Sequence, residues 1–392
     1  MEYIFWFVFF IIAYTFLGYG VVAYMLVRIK GARSRPAGIS SDDALPALTL
    51  VIPAYNELDC LPAKVENSLS LLYPSAKYSI LFVTEGSTDG SDAYLMGVPE
   101  VEVMGGMERR GKIEAINRAM RQIDTPIVVF TDANTLLNPE ALLNIVRHYA
   151  DPAVAAVAGE KRVLSLESDA AAGAGEGIYW KYESFLKKLD TDLQTVVGAA
   201  GELFSMRTSL YQPVEPDTIL DDFMISLRLA AQEYRVVYEP EAFALEDPSY
   251  SVQEELKRKV RIAAGGFQSI VRLRYLLNPL RYGLLSFQYV SHRVLRWAVT
   301  PFCLPLLLFL NFGLWQTEDM YKALLLGQLT FYGMATVGML LENRKVKVKL
   351  FFIPFYFCFM NYAVWLGLFR YLRGGQSGVW EKVKRAGASA GN

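Results

Sequence analysis

The chain has 392 residues, 53% of them hydrophobic and 20% charged, a balance too apolar for an ordinary soluble enzyme and too charged for a wholly membrane-embedded protein. A net charge of -1 supplies no global basic field, which argues against nucleic acid as a partner. The two histidines, His148 and His292, and the three cysteines, Cys60, Cys303 and Cys358, fit no metal-ligand spacing and no disulfide framework.

Residues 3–27 carry no charge, and a helix of that length spans about 37 Å, enough to cross a bilayer core. The run follows Glu2 instead of a basic start and is too long for a signal peptide, so it reads as an uncleaved anchor. Arg28, Lys30, Arg33 and Arg35 come next and place the following region in the cytoplasm by the positive-inside rule. From residue 48 onward strand and helix signals alternate. "LTLVIPAYNE" (48–57) predicts a buried strand running into a loop, and 58–72 a helix. "YSILFVTEG" (78–86) is a second strand and "VEVM" (101–104) a third. Residues 111–123 are helical, with Ile113, Ile116, Ala119 and Met120 on one face. "PIVVFTDAN" (126–134) is a fourth strand, and "NPEALLNIVRHYA" (138–150) a helix with Asn138 as its cap and Pro139 at its first position. Such alternation predicts a mostly parallel sheet covered on both faces, with ligands bound beyond the carboxyl ends of its strands. Three strands carry acids there: Glu57, Glu85 with Asp89, and Asp132. A crevice ringed by carboxylates can hold a cation or sugar hydroxyls.

Further on, "GEGIYWKYES" (175–184) offers Tyr179, Trp180 and Tyr182 for stacking on a sugar ring or for ordinary packing. "GAAGELFSMR" (198–207) places small residues before a short strand, and "LDDF" (220–223) sets paired carboxylates before an apolar helix, where they could equally act as a cap. Residues 252–296 interleave Lys257, Arg258, Lys259, Arg261, Arg272, Arg274, Arg281, Arg293 and Arg296 with apolar residues, the pattern of basic amphipathic helices on an anionic leaflet. Three more uncharged stretches follow, 297–317, 323–341 and 350–369. If all of these cross the membrane, Arg373, Lys382, Lys384 and Arg385 end outside, against the positive-inside rule; the alternative is that one segment is re-entrant or interfacial. The spans carry too few polar groups for a transporter.

Taken in order, "VIPAYNE" (51–57), "TEGSTDGS" (84–91), "GKIEAINRAM" (111–120), "FTDAN" (130–134), "GAAGELFSMR" (198–207), "LDDF" (220–223) and "RKVRIAAGG" (258–266) resemble the family 2 glycosyltransferases, inverting enzymes of the GT-A fold. The resemblance covers 48–265, and the flanking spans suit the membrane-bound group of cellulose, hyaluronan and poly-N-acetylglucosamine synthases. It implies an α/β fold, a Rossmann-like, mixed and mostly parallel sheet in a cytoplasmic domain, with N- and C-terminal transmembrane helices. The expected division is an anchor at 1–30, a GT-A domain at 45–250, interfacial amphipathic helices at 251–296, transmembrane segments at 297–372 and a polar tail at 373–392.

The same resemblance implies the site. Ala54, Tyr55, Glu57 and Glu85 border the base and ribose of a nucleotide-sugar donor, with UDP the expected carrier, and Lys112 is a positive contact. Asp132 opens an Asp-x-Asp-like motif that meets ribose and a divalent metal, Mg²⁺ or Mn²⁺, with Asn134 as its second ligand. Asp222 is the base that deprotonates the acceptor hydroxyl, Asp221 shares or orients its charge, and Gly201, Glu202 and Trp180 border a saccharide or lipid-linked acceptor. Arg261 meets the diphosphate. Three departures stand out: Glu85 where the family has Asp, Asn134 in the metal motif, and Ile262 where polymerising members carry the Trp of Gln-x-x-Arg-Trp. The expectation is a membrane-anchored hexosyltransferase of the plasma or inner membrane, working in surface polysaccharide synthesis. The alternatives are a single-addition transferase acting on polyprenyl phosphate or another lipid, and a catalytically silent nucleotide-sugar binder. Membrane lipids are expected partners, nucleic acid is not, and no partner protein is indicated.

Overall fold

The computed structural model describes residues 1–31, 44–106, 108–164, 170–248, 251–344, 346 and 348–374. Among the basic residues used above for orientation, Arg33, Arg35, Lys382, Lys384 and Arg385 lie outside this set, as do the side chain of Tyr179 and most of the polar tail. Two compact units emerge, one built from Met1–Gly31, Ser165–Leu189 and Leu256–Gly375, the other from Ala32–Leu164, Asp190–Glu255 and the tail.

The second unit is built on one eight-stranded sheet. Its strands are β1 (Leu48–Ala54), β2 (Tyr78–Thr84), β3 (Glu102–Met104), β4 (Ile127–Thr131), β5 (Thr135–Leu137), β6 (Val154–Val163), β7 (Leu203–Arg207) and β8 (Arg235–Glu246), in the order β3-β2-β1-β4-β7-β6-β8-β5. β1, β2, β3 and β4 pair in parallel, β7 runs antiparallel to both β4 and β6, β8 is parallel to β6, and β5 closes antiparallel on β8. The mixed, mostly parallel sheet expected from the alternation is therefore present. Its central strands are continuous apolar runs because both faces are covered: every residue of β4 is buried, as is all of β1 except Pro53. Leu50, Ile52, Phe82 and Val129 join Leu61, Leu142 and Ile145 in one core cluster.

Only Asp132, Ala133 and Asn134 separate β4 from β5, although these strands sit four places apart in the sheet. From Thr131 to Thr135 the backbone reaches at most about 14 Å, whereas four strand spacings in a flat sheet amount to about 19 Å. The sheet therefore curls, and its far edge returns to the end of β4.

Asn138 does not cap the following helix. The helix runs Ala141–Val146 with Glu140 at its cap position, then tightens into a 3-10 turn at Arg147–Ala150. The Asn138 side chain is used across the sheet instead: its Oδ1 accepts from Phe243 N at 2.8 Å and its Nδ2 donates to the Glu241 carbonyl at 3.1 Å. The other expected helices are present but shorter, at Leu61–Leu69 and Lys112–Met120.

The first unit is helical. Among the described residues, four of its helices are long and apolar enough to cross a membrane: Glu2–Lys30, Pro279–Leu314, Asp319–Glu342 and Lys349–Leu372. The second of these already begins at Pro279, kinks at Gly283 and winds as a π-helix over Val290–Val299. Phe5 and Val8 pack with Cys303, Leu307, Leu314 and Tyr321. Some polar side chains inside this unit are paired: Trp6 Nε1 donates to Tyr321 Oη at 3.2 Å, and the buried Glu183 carboxylate pairs with Arg293 at 2.9 Å and Arg296 at 2.6 Å.

Candidate active site

The turns after β1 and β2 are sewn together by short polar side chains. Asn56, in the left-handed region at φ 53°, donates its N–H to Ser87 Oγ at 3.1 Å, and its Oδ1 accepts from Thr88 N at 2.7 Å. Glu57 N donates to Ser91 Oγ at 3.1 Å and Leu58 N to Asp89 Oδ2 at 3.0 Å. Asp89 also accepts from the Ser91 N–H and hydroxyl. The Gly-Ser-Thr-Asp-Gly run thus serves as a clasp. Gly86 and Gly90 take the positive φ values, 65° and 93°, that its tight path requires. Asp89 fixes this clasp and does not line the crevice, whereas the other strand-end acids do.

An open pocket of about 610 Å³ lies above these strand ends. Ala54, Tyr55, Glu57, Glu85, Lys112, Asp132 and Asn134 line it together with Arg109 and Gly111. Six expected donor-side residues thus converge, with Asn134, from four separate chain segments. Glu85 is almost fully buried; its Oε2 accepts from Arg110 N at 2.8 Å and its Oε1 stands 3.7 Å from Arg118 Nη2. The Arg109 guanidinium lies 4.0 Å above the Tyr55 ring, a cation–π contact in the pocket wall.

At the end of β4, Asp132 Oδ1 accepts from Lys112 Nζ at 2.7 Å, with both side chains about nine-tenths buried. Burial works against the charged amine, but Asp132, then Asp221 and Asp222, outweigh it and raise the Lys112 pKa. Behind the same turn lies a second network. Lys161 on β6 donates to Glu202 Oε1 at 2.6 Å and also to Glu246 Oε2, while Asn134 Nδ2 lies 3.5 Å from Glu246 Oε1. The curl of the sheet makes this possible, because it returns β8 and β5 to the end of β4. Beneath the turn, Lys64 is fully buried and donates to Thr131 Oγ1 at 3.1 Å and to the Thr135 carbonyl at 2.7 Å. Burial lowers its pKa to about 7 against the opposing pull of Asp132 and Cys60.

Asp221 and Asp222 form the first turn of the helix Asp221–Ala231. Asp222 is half-buried, with protein around its carboxyl and solvent still in reach. Burial, then the adjacent Asp221 charge, push its pKa up to about 8, with Lys112 opposing and Glu202 adding to the rise. A methyl group on Gly201 would lie 3.3 Å from Asp222 Oδ2 and 3.7 Å from Lys112 Nζ, so this glycine leaves space between the two charges. Gly198 is needed for a different reason. It has φ 87°, and a Cβ there would sit 2.2 Å from the Phe223 ring.

As metal donors, Asp132 offers one carboxylate, already shared with Lys112, and Asn134 one amide oxygen. Among the described residues no group of three or more His, Cys, Asp or Glu could hold an ion alone. This donor set fits an ion shared with the phosphates of a bound nucleotide, the usual mode for Mg²⁺. Trp180 and Arg261 belong to the helical unit, where the Trp180 ring receives Lys259 Nζ at 5.6 Å. Sequence reasoning missed Arg109, Lys64, Lys161 and Glu246. Arg109 adjoins a recognised motif; the other three carry no local signal.

A family model described as "Glycosyltransferase like family 2" matches residues 46–265. The chain is 25% identical over 263 residues to the poly-beta-1,6-N-acetyl-D-glucosamine synthase of Staphylococcus aureus, covering 64% of this chain and 61% of that protein. It is 22% identical over 268 residues to the protein of the same name from Staphylococcus epidermidis, covering 64% and 62%. The chain thus aligns with about three-fifths of the length of these curated relatives. Among solved structures, a mannosyltransferase from Pyrobaculum calidifontis in complex with GDP-Man and Mn²⁺ superposes with a TM-score of 0.70 at 21% identity, covering 94% of this chain and 99% of that one. This likeness shows a shared fold, the GT-A fold that the motifs imply. With the family model spanning more than half of its length, the chain belongs to glycosyltransferase family 2.

Proposed function

We propose that the protein is a membrane-anchored transferase that moves a sugar from a nucleoside-diphosphate donor to an acceptor hydroxyl with inversion. The observation that carries this reading is the line of charges Asp222, Lys112 and Asp132, which joins a proton acceptor of raised pKa to the pocket lined by Tyr55 and Glu85. In the reaction Asp222 takes the proton as the acceptor oxygen bonds to the anomeric carbon, and the bond from that carbon to the diphosphate oxygen breaks on the opposite face. Lys112 meets the growing negative charge of the departing diphosphate. Asp132, with Asn134, would hold Mg²⁺ or Mn²⁺ jointly with the phosphates; when bound, the ion supplies further neutralisation of the leaving group. Tyr55 offers a face for the base, Glu57 and Glu85 offer acceptors for base and ribose, and Ala54 leaves room beside them. Gly201 and Glu202 border the acceptor. The basic residues after the first span support a cytoplasmic sheet domain, and the four long apolar helices support membrane anchoring.

The acceptor is a saccharide, in line with the names of the staphylococcal relatives. A second reading, addition of one sugar to polyprenyl phosphate or another lipid, is favoured by Ile262 at the position of the polymerases' tryptophan. Uridine diphosphate is the expected carrier; the GDP-Man bound by the solved mannosyltransferase supports guanosine diphosphate as the rival. The test uses detergent-purified protein with UDP- and GDP-sugars, follows nucleotide release with Mn²⁺, Mg²⁺ or chelator, and sizes the product by mass spectrometry. Asp222→Asn should lose roughly 10²- to 10⁴-fold in turnover while still binding nucleotide. Unimpaired release by that variant removes the base assignment, and binding with no turnover by any donor favours a silent sensor.

A further inference from the structure

We infer that Lys64 is a positioning residue of the donor site, a buried positive charge set under the Asp132–Asn134 turn to hold its shape and to favour a diphosphate above it. The inference rests on the donor-pocket reading above and adds a residue that none of the motifs contains.

The argument begins with a contrast among three lysines. Lys112 spends its charge on Asp132, and Lys161 spends its charge on Glu202 and Glu246. Lys64 is as deeply buried as any side chain in the sheet unit, yet among the described residues no carboxylate pairs with it. Its acceptors are neutral, the Thr131 hydroxyl and the Thr135 carbonyl. An ammonium taken out of water with no carboxylate hydrogen-bonded to it costs stability even with the Asp132 charge nearby, and an apolar side chain of the same shape would pack there more favourably. Stability alone therefore does not explain a lysine at this position.

Its location does. Thr131 and Thr135 are the two residues that flank Asp132, Ala133 and Asn134, and all three of the enclosed residues line the pocket. One ammonium thus bridges the last residue of β4 and the first of β5. Thr131 Oγ1 also donates to the Glu202 carbonyl at 2.9 Å, and Thr135 Oγ1 to the Asp132 carbonyl at 2.9 Å. The same hydrogen-bond chain therefore reaches from under the donor motif to the acceptor-side segment. A nucleoside diphosphate would add negative charge beyond that of Asp132, which Lys112 already engages.

The experiment compares wild type, Lys64→Met and Lys64→Gln as full chains in detergent. It measures thermal unfolding, and calorimetric binding of UDP and of GDP with Mn²⁺. Lys64→Met is expected to keep or raise the melting temperature while nucleotide affinity falls roughly 10- to 100-fold, the usual effect of removing a supporting group behind a binding residue. Lys64→Gln retains a donor for the Thr135 carbonyl without the charge and should also bind more weakly. A parallel loss of melting temperature and affinity in both variants would make Lys64 a purely structural post. Wild-type affinity in Lys64→Gln would show that its charge is idle. If wild type itself binds neither nucleotide, the donor-pocket reading fails and this inference falls with it.

Discussion

The charge of Lys112 holds Asp222 back from a still higher pKa, and that relation can be measured. Gly201 bounds the separation: its Cβ position is 3.3 Å from Asp222 Oδ2 and 3.7 Å from Lys112 Nζ, so the two charges stand no more than about 7 Å apart. At an effective dielectric constant of about 20, a pair at that distance interacts by about 2 kcal/mol, equivalent to about one and a half pH units. A base must be deprotonated to act, so wild-type turnover should climb with pH through about 8 and then level off. Lys112→Met removes the stabilising cation, the carboxylate becomes harder to form, and the rising limb should move to higher pH by about one and a half units. The assay is the pH dependence of initial nucleotide-release rates at saturating donor, which separates the limb from the weaker donor binding the same variant must show. A limb that stays in place or moves to lower pH refutes the coupling. A limb that persists in the residual activity of Asp222→Asn belongs to another group.

Two stability predictions accompany it. Gly198→Ala forces a side chain into a left-handed conformation against the Phe223 ring and should cost about 2–4 kcal/mol, read as a lowered melting temperature; unchanged melting would mean that this turn adopts another path. Lys161→Met leaves Glu202 and Glu246 facing each other without their shared cation and should cost about 3–5 kcal/mol in thermal or chemical unfolding. Adding Glu246→Gln to that variant should recover part of the loss, and no recovery would place the cost elsewhere.

The parallel half of the sheet was legible because strands buried on both faces must be unbroken apolar runs, as in 48–54, 78–84 and 127–131. The position of the strand-end acids was legible for a related reason: a polar residue just after such a run has only the strand end to occupy. Asn138 shows where local reasoning stops. Its position before a helix reads as a cap, yet its amide serves Phe243 and Glu241 about a hundred residues away in the chain, on a strand whose return depends on the curl of the sheet. Lys161 was hidden in the same way, since its partners lie 41 and 85 residues distant in the chain. Lys64 lies in "LPAKVENSL" on the same helix face as Leu61, Val65 and Ser68, but its partners appear only when that helix packs against the turn after β4.

The reversed direction of β7 has a consequence for how this protein can change. Leu203 pairs with Thr131, so the point at which one strand enters the sheet is the point at which its neighbour leaves. Two segments seventy residues apart in sequence share one doorway, and their alignment is set by backbone pairing and not by any flexible tether. Slipping that pairing by a single position would turn Leu203, Ser205 and Arg207 to the opposite face and carry the preceding glutamate with them. Variation in what this protein accepts should therefore come through side-chain replacement along 198–202, while insertions or deletions there should silence it.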